Sequence, residues 1–132
     1  MEKLKKILHA DDDSDILAIT EMALSNIGGM ELLQVSSGSE AIDACKRFDP
    51  DLLLLDYMMP GMTGEDAWHE IRQMPGNGAI PTVFLTANAL TETEDRLVTD
   101  GAAAVLRKPF DPLTLAADLE KIWLAYRSRS FE

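Results

Sequence analysis

Cysteine is almost missing from this chain. Cys45 is the single one among 132 residues, which excludes an internal disulfide and any cysteine-rich metal box. Its neighbours Ala41, Ile42 and Ala44 pattern as a helix packing face, so a buried, inert thiol is expected. Basic residues are also scarce. Twelve Lys and Arg against 23 Asp and Glu give a formal net charge of −11. That balance argues against direct nucleic-acid binding through phosphate neutralisation. No run approaches the ~18 apolar residues of a membrane span. No apolar stretch follows Lys3-Leu4-Lys5-Lys6, as a secretory signal would need. A cytoplasmic protein without membrane contact is expected. Repeats, low-complexity tracts and internal linkers are absent too. The length points to one domain over residues 1–127, with 128–132 a frayed tail.

What is present is a hydrophobic share of 46%, enough for a folded core, and one conspicuous stretch. Leu52-Leu53-Leu54-Leu55 runs straight into Asp56, and turn residues follow at Met58-Met59-Pro60-Gly61. A short apolar run bounded by turn signals reads as a strand buried on both faces of a parallel sheet. Further strands are expected at Lys5–Ala10, Met30–Val35, Ile80–Thr86 and Ala103–Arg107. Helices are expected from Ser14 or Asp15 to Ile27, Glu40 to Phe48, Gly64 to Met74, Asn88 to Thr99 and Leu113 to Arg127. Strands alternating with helices predict an α/β fold, a doubly wound five-stranded parallel sheet with five helices, flavodoxin-like. The strand order 2-1-3-4-5 is the common one at this size and is adopted from that general pattern.

Each of four strands ends in a polar group. The first leads to Asp11 and Asp12, the third to Asp56, the fourth to Thr86 and the fifth to Lys108. A parallel sheet would gather them in one crevice, because ligand sites of open α/β sheets lie at the carboxyl ends of the strands. Three carboxylates there repel one another, each pair by about 4 kcal/mol at 4 Å and an effective dielectric near 20. A cation must neutralise them, or some must take up protons. Oxygen-only ligands suit Mg²⁺, which favours sites completed by phosphate. The ammonium of Lys108 and the hydroxyl of Thr86 suit a phosphoryl anion, with a carboxylate as nucleophile. A positioned histidine base, a Ser or Cys nucleophile pair and a Gly-rich phosphate loop are all lacking, so ATP binding is not expected.

The blocks Ile7-Leu8-His9-Ala10-Asp11-Asp12, Leu55–Gly64, Phe84-Leu85-Thr86-Ala87 and Lys108-Pro109-Phe110 resemble those of response-regulator receiver domains, in order and spacing, over nearly the whole chain. The resemblance implies Asp56 as phosphoacceptor. It implies Mg²⁺ on the side chains of Asp12 and Asp56, with Asp11 acting mainly through water and Met58 giving its backbone carbonyl. Thr86 and Lys108 would hold phosphoryl oxygens, and the Lys108–Pro109 peptide would be cis. A sensor histidine kinase or a histidine phosphotransfer protein would be the donor. The output would be a changed surface of helix four, strand five and helix five, which could also pair two copies. The protein would not be a turnover enzyme on a separate substrate. No effector segment follows residue 127, so a downstream protein target, a relay step or a domain outside these residues is expected.

Val105 departs from the family pattern, which places Tyr or Phe three residues before the lysine as a moving switch. A valine has no ring to bury. That points to a non-standard output. The alternative reading of the chain is a pseudo-receiver, a binding module that is never phosphorylated, although such modules usually lose some of the five site residues and all five are present here. A phosphatase or mutase would need a second acid two residues after Asp56, where Met58 stands. Met58 and Asn88 also offer little to position water, which predicts a long-lived phosphoryl group. His9 is expected to be a core or rim histidine, with a pH-sensitive contact to Asp11 the lesser reading. His69 should face solvent, Trp68, Trp123 and Tyr126 should pack, and Glu92, Glu94 and Asp95 should form a solvated helix face.

Overall fold

In the computed structural model the leucine run is strand β3 (Leu52–Asp56), buried along its whole length. The structure describes residues 3–76, 80–87 and 91–129. Around β3 lie β1 (Lys6–Ala10), β2 (Glu31–Val35), β4 (Thr82–Thr86) and β5 (Ala104–Arg107). All neighbours pair in parallel, and the order is β2-β1-β3-β4-β5. The helices are α1 (Ser14–Glu21), α2 (Gly38–Phe48), α3 (Gly64–Gln73), α4 (Thr91–Thr99) and α5 (Leu115–Arg129). The expected α/β architecture and strand order are both found.

Four leucines in a row are needed because both faces of β3 are covered. Leu53 and Leu55 point to one side and pack with Phe84, Trp68 and Ile71. Leu52 and Leu54 point to the other and pack with Leu24, Leu119 and Trp123. Full burial of each contributes roughly 1.5–3 kcal/mol. Cys45 is buried in the first layer, with its thiol pushed up to about 11 by burial and by nearby Asp49.

Boundaries differ from expectation where several residues compete for a cap. The cap of α1 is Asp13, whose carboxylate accepts from Asp15 N–H at 2.9 Å, and not Ser14 or Asp15. The helix continues as a π-helical turn, Met22–Ile27, closed by the Gly28 N–H donating to Ala23 O at 3.1 Å. Its wider ring was not foreseen. Helix α2 starts two residues early, at Gly38, because the Ser37 hydroxyl accepts from Glu40 N–H. Helix α5 starts two residues late, because the Asp111 carboxylate holds Leu113 N–H in a turn. It also runs through Arg129, two residues past the expected end at Arg127. Residues 130–132 lie outside the described residues, as do 88–90, where α4 was expected to begin. No helix among the described residues is long and apolar enough to cross a membrane.

Candidate functional site at the carboxyl end of the sheet

The strand ends do converge. Asp11 follows β1 directly; its N–H donates to Val35 O at 3.1 Å, which carries the sheet ladder one residue further. It is fully buried, and its Oδ1 accepts from Asp13 N–H at 2.9 Å. Asp56 is the last residue of β3 and only 5% exposed. Gly64 opens α3 against it: a Cβ on Gly64 would lie 2.2 Å from the Asp56 carbonyl oxygen, so only glycine fits. Thr86 ends β4, and its carbonyl accepts the Lys108 N–H at 2.9 Å. The Lys108–Pro109 peptide is cis, as expected.

Lys108 is the centre of the charge arrangement. Its Nζ lies 2.9 Å from Asp11 Oδ2 and 3.2 Å from Asp56 Oδ1. Burial works against its charge, but the hydrogen bond to Asp11 and the charge of Asp56 overcome this and hold the ammonium above its ordinary value. Asp56 goes the other way. Burial and then the charge of Asp11 push its carboxyl up to about 7, against the pull of Lys108. One ammonium is too little for the acids present. Asp11, Asp12 and Asp56 each bring a carboxylate oxygen within 4.8 Å of the others. An all-oxygen cluster with its charge only partly met fits a hard dication such as Mg²⁺.

Asp12 is exposed, and with Asp13, Asp56, Thr86 and Lys108 it lines a cleft of about 410 Å³. Met58 lines the cleft too; its N–H points at Asp56 Oδ1 over 3.4 Å. Thr93 of α4 also reaches it. Sequence reading missed Thr93, because Thr91-Glu92-Thr93-Glu94 carries no local mark that separates the inward residue from its neighbours.

Residues 7–120 match the profile of the response regulator receiver domain. The chain belongs to this family. It is 36% identical over 115 residues to the DNA-binding response regulator MtrA of Mycolicibacterium smegmatis, covering 86% of this chain and 48% of that protein. The chain thus spans about half the length of the curated relatives it matches. MtrA's name does not match the expectation of no direct nucleic-acid contact, which was drawn from the charge of these residues alone. Among solved structures, the chemotaxis response regulator CheY4 of Vibrio cholerae superposes with a TM-score of 0.82 at 28% identity, over 90% of this chain and 98% of that one. A response regulator from Chloroflexus aurantiacus gives 0.83 at 30% identity, over 92% and 99%.

Around the receiver's cleft the remaining residues take definite places. Val105 is half-buried opposite Phe84 and packs on the first core layer. His9 is fully buried. The Gln34 side-chain nitrogen meets its Nδ1 at 3.1 Å and donates to Leu17 O at 2.8 Å. Burial lowers His9 to about 4, which keeps the imidazole neutral and makes it a core residue, not a sensor near neutral pH. His69 is about half exposed, Trp68 and Trp123 are buried, and Tyr126 is half-buried. Glu94 departs from the expected solvated face, since its carboxylate pairs with Arg107 at 3.1 Å.

Proposed function

We propose that this receiver takes a phosphoryl group on Asp56 from a phosphohistidine of a sensor kinase or phosphotransfer protein. The observation that carries the reading is Lys108 Nζ between Asp11 and Asp56 beside three mutually close carboxylates. An Asp56 oxygen attacks phosphorus, the P–N bond breaks, and the donor imidazole leaves with a proton. Lys108 and the Thr86 hydroxyl bind the equatorial phosphoryl oxygens, so their charge is met where it develops. Asp11 holds Lys108 in place. Asp12 and Asp56, with the Met58 carbonyl and with Asp11 acting mainly through water, would hold Mg²⁺, and the ion would supply charge neutralisation between nucleophile and phosphoryl group.

Moving the Thr86 hydroxyl toward the phosphoryl group shifts the population at α4, β5 and α5, and a protein target reads that surface. The chain acts as a phosphoacceptor in the cytoplasm and turns over no separate substrate. The test is intact mass after incubation with acetyl phosphate and Mg²⁺, with and without EDTA. A gain of one phosphoryl group that needs the ion supports the reading. No gain in either sample overturns it and favours a module that is never phosphorylated.

A further inference from the structure

Helix α4 is tied to the site by a polar link that no local sequence pattern marks. Arg96 donates through Nη2 to the Tyr57 hydroxyl at 3.1 Å and through Nη1 to Glu65 Oε2. The Tyr57 hydroxyl in turn points at Glu65 Oε1 over 3.5 Å. Tyr57 is the residue after Asp56. Its N–H donates to Leu85 O at 2.9 Å, its carbonyl accepts Gly64 N–H at 2.9 Å, and its ring meets Phe84 edge-on. Tyr57 is thus fixed to the sheet and to α3, with its hydroxyl reaching α4. On the other side of α4, Glu94 pairs with Arg107 of β5. Val105, which carries no ring, lies on that same strand.

We propose that Arg96 is a positioning residue that carries the state of the phosphoacceptor loop to α4, by way of Tyr57 and Glu65. The inference rests on phosphorylation of Asp56. A guanidinium suits the task because its fork serves two partners at once on different elements, as an ammonium does not. The hydrogen bond from Arg96 also holds Glu65 below the usual carboxylate range, so the pair stays charged. Glu65, His69 and Asp100 bring ligand atoms within 4.8 Å of one another. That cluster is not read as a metal site, because Arg96 already meets the Glu65 charge.

Hydrogen exchange across α4 and β5, before and after phosphorylation with acetyl phosphate and Mg²⁺, tests the proposal. Wild type changes its exchange on phosphorylation. In Arg96→Ala the change shrinks about fivefold or more, the lower end of ordinary coupling, while Asp56 still gains its phosphoryl group. Arg96→Lys and Tyr57→Phe retain part of the response, and the double exchange Glu65→Arg with Arg96→Glu restores part of it. A purely structural pair would loosen α4 equally in both states and leave the response at the wild-type size; that result in Arg96→Ala overturns this inference alone. A wild-type chain that gains no phosphoryl group overturns the proposed function and this inference with it.

Discussion

Strand β3 contains two regions that differ in almost every physical respect, one residue apart. Leu52 to Leu55 are fully buried, each packed into one of the two core layers. Asp56, next in the same strand, is nearly as buried, yet it faces Asp11 and Asp12 with one ammonium to share. Apolar burial stabilises the fold, whereas crowding like charges on buried carboxylates costs stability. The leucines hold in place a carboxylate cluster that would disperse by itself. A charged incoming group then finds its partners already oriented, so little reorganisation is needed when it arrives.

The largest effect expected comes from breaking the apolar side of this comparison. Leu54→Ala should lose about 3 kcal/mol in urea unfolding, within the roughly 2–5 kcal/mol seen for buried large-to-small changes. A loss under about 1 kcal/mol would mean that the layer below the site relaxes freely and does not hold it. Breaking the polar side should have the opposite sign. Asp56→Asn should raise stability at pH 8 by on the order of 2 kcal/mol.

The pH dependence of that second effect follows from linkage. The folded Asp56 carboxyl sits at about 7, against an ordinary 3.8. The folded state therefore binds the proton more tightly than the unfolded one. The contribution is favourable below the ordinary value and is lost as pH rises through about 7. The stability gap between Asp56→Asn and wild type should widen from pH 5 to pH 8, and saturating Mg²⁺ should narrow it. A gap that is flat with pH would sink the like-charge account. Taking the difference between the two proteins cancels His9, whose depressed value works in the opposite direction: the stability it gives is present above 6.5 and lost as pH falls toward about 4.

The smallest effect sharpens the comparison. Asp13 lines the edge of the cleft, but its carboxylate acts on helix α1, where it accepts from Asp15 N–H. Asp13→Ala should lose about 1 kcal/mol, the ordinary value of an N-cap, and should leave uptake of the phosphoryl group from acetyl phosphate near wild type. A tenfold loss of uptake would move Asp13 from the helix to the chemistry.

These contrasts also explain what the sequence disclosed. The leucine run, the alternation of strands with helices and the polar residue after each strand are local patterns, and the parallel sheet turns them into a site. The convergence of Asp11, Asp12, Asp56, Thr86 and Lys108 was legible for that reason: Asp12, Asp56, Thr86 and Lys108 line one cleft, and Asp11 is buried behind it against Lys108. Cap positions were less legible, since Asp13, Ser14 and Asp15 are all good caps, and it is the backbone turn at Asp13, whose N–H donates to the buried Asp11 Oδ1 two residues back, that gives Asp13 the extended conformation of a cap. The π-helical turn at Met22–Ile27 and the inward position of Thr93 have no marker in composition or spacing. The Arg96–Glu65 pair spans 31 positions in sequence, so nothing nearby in the chain announces it.

The claim at the centre of this account is that Asp56, and not its neighbours, carries the phosphoryl group. Borohydride reduces an aspartyl phosphate to homoserine, so reduction of the phosphorylated chain followed by peptide mass mapping reads the acceptor directly. Homoserine at position 56 alone is the result expected. Homoserine at Asp11 or Asp12 in place of position 56 would contradict it.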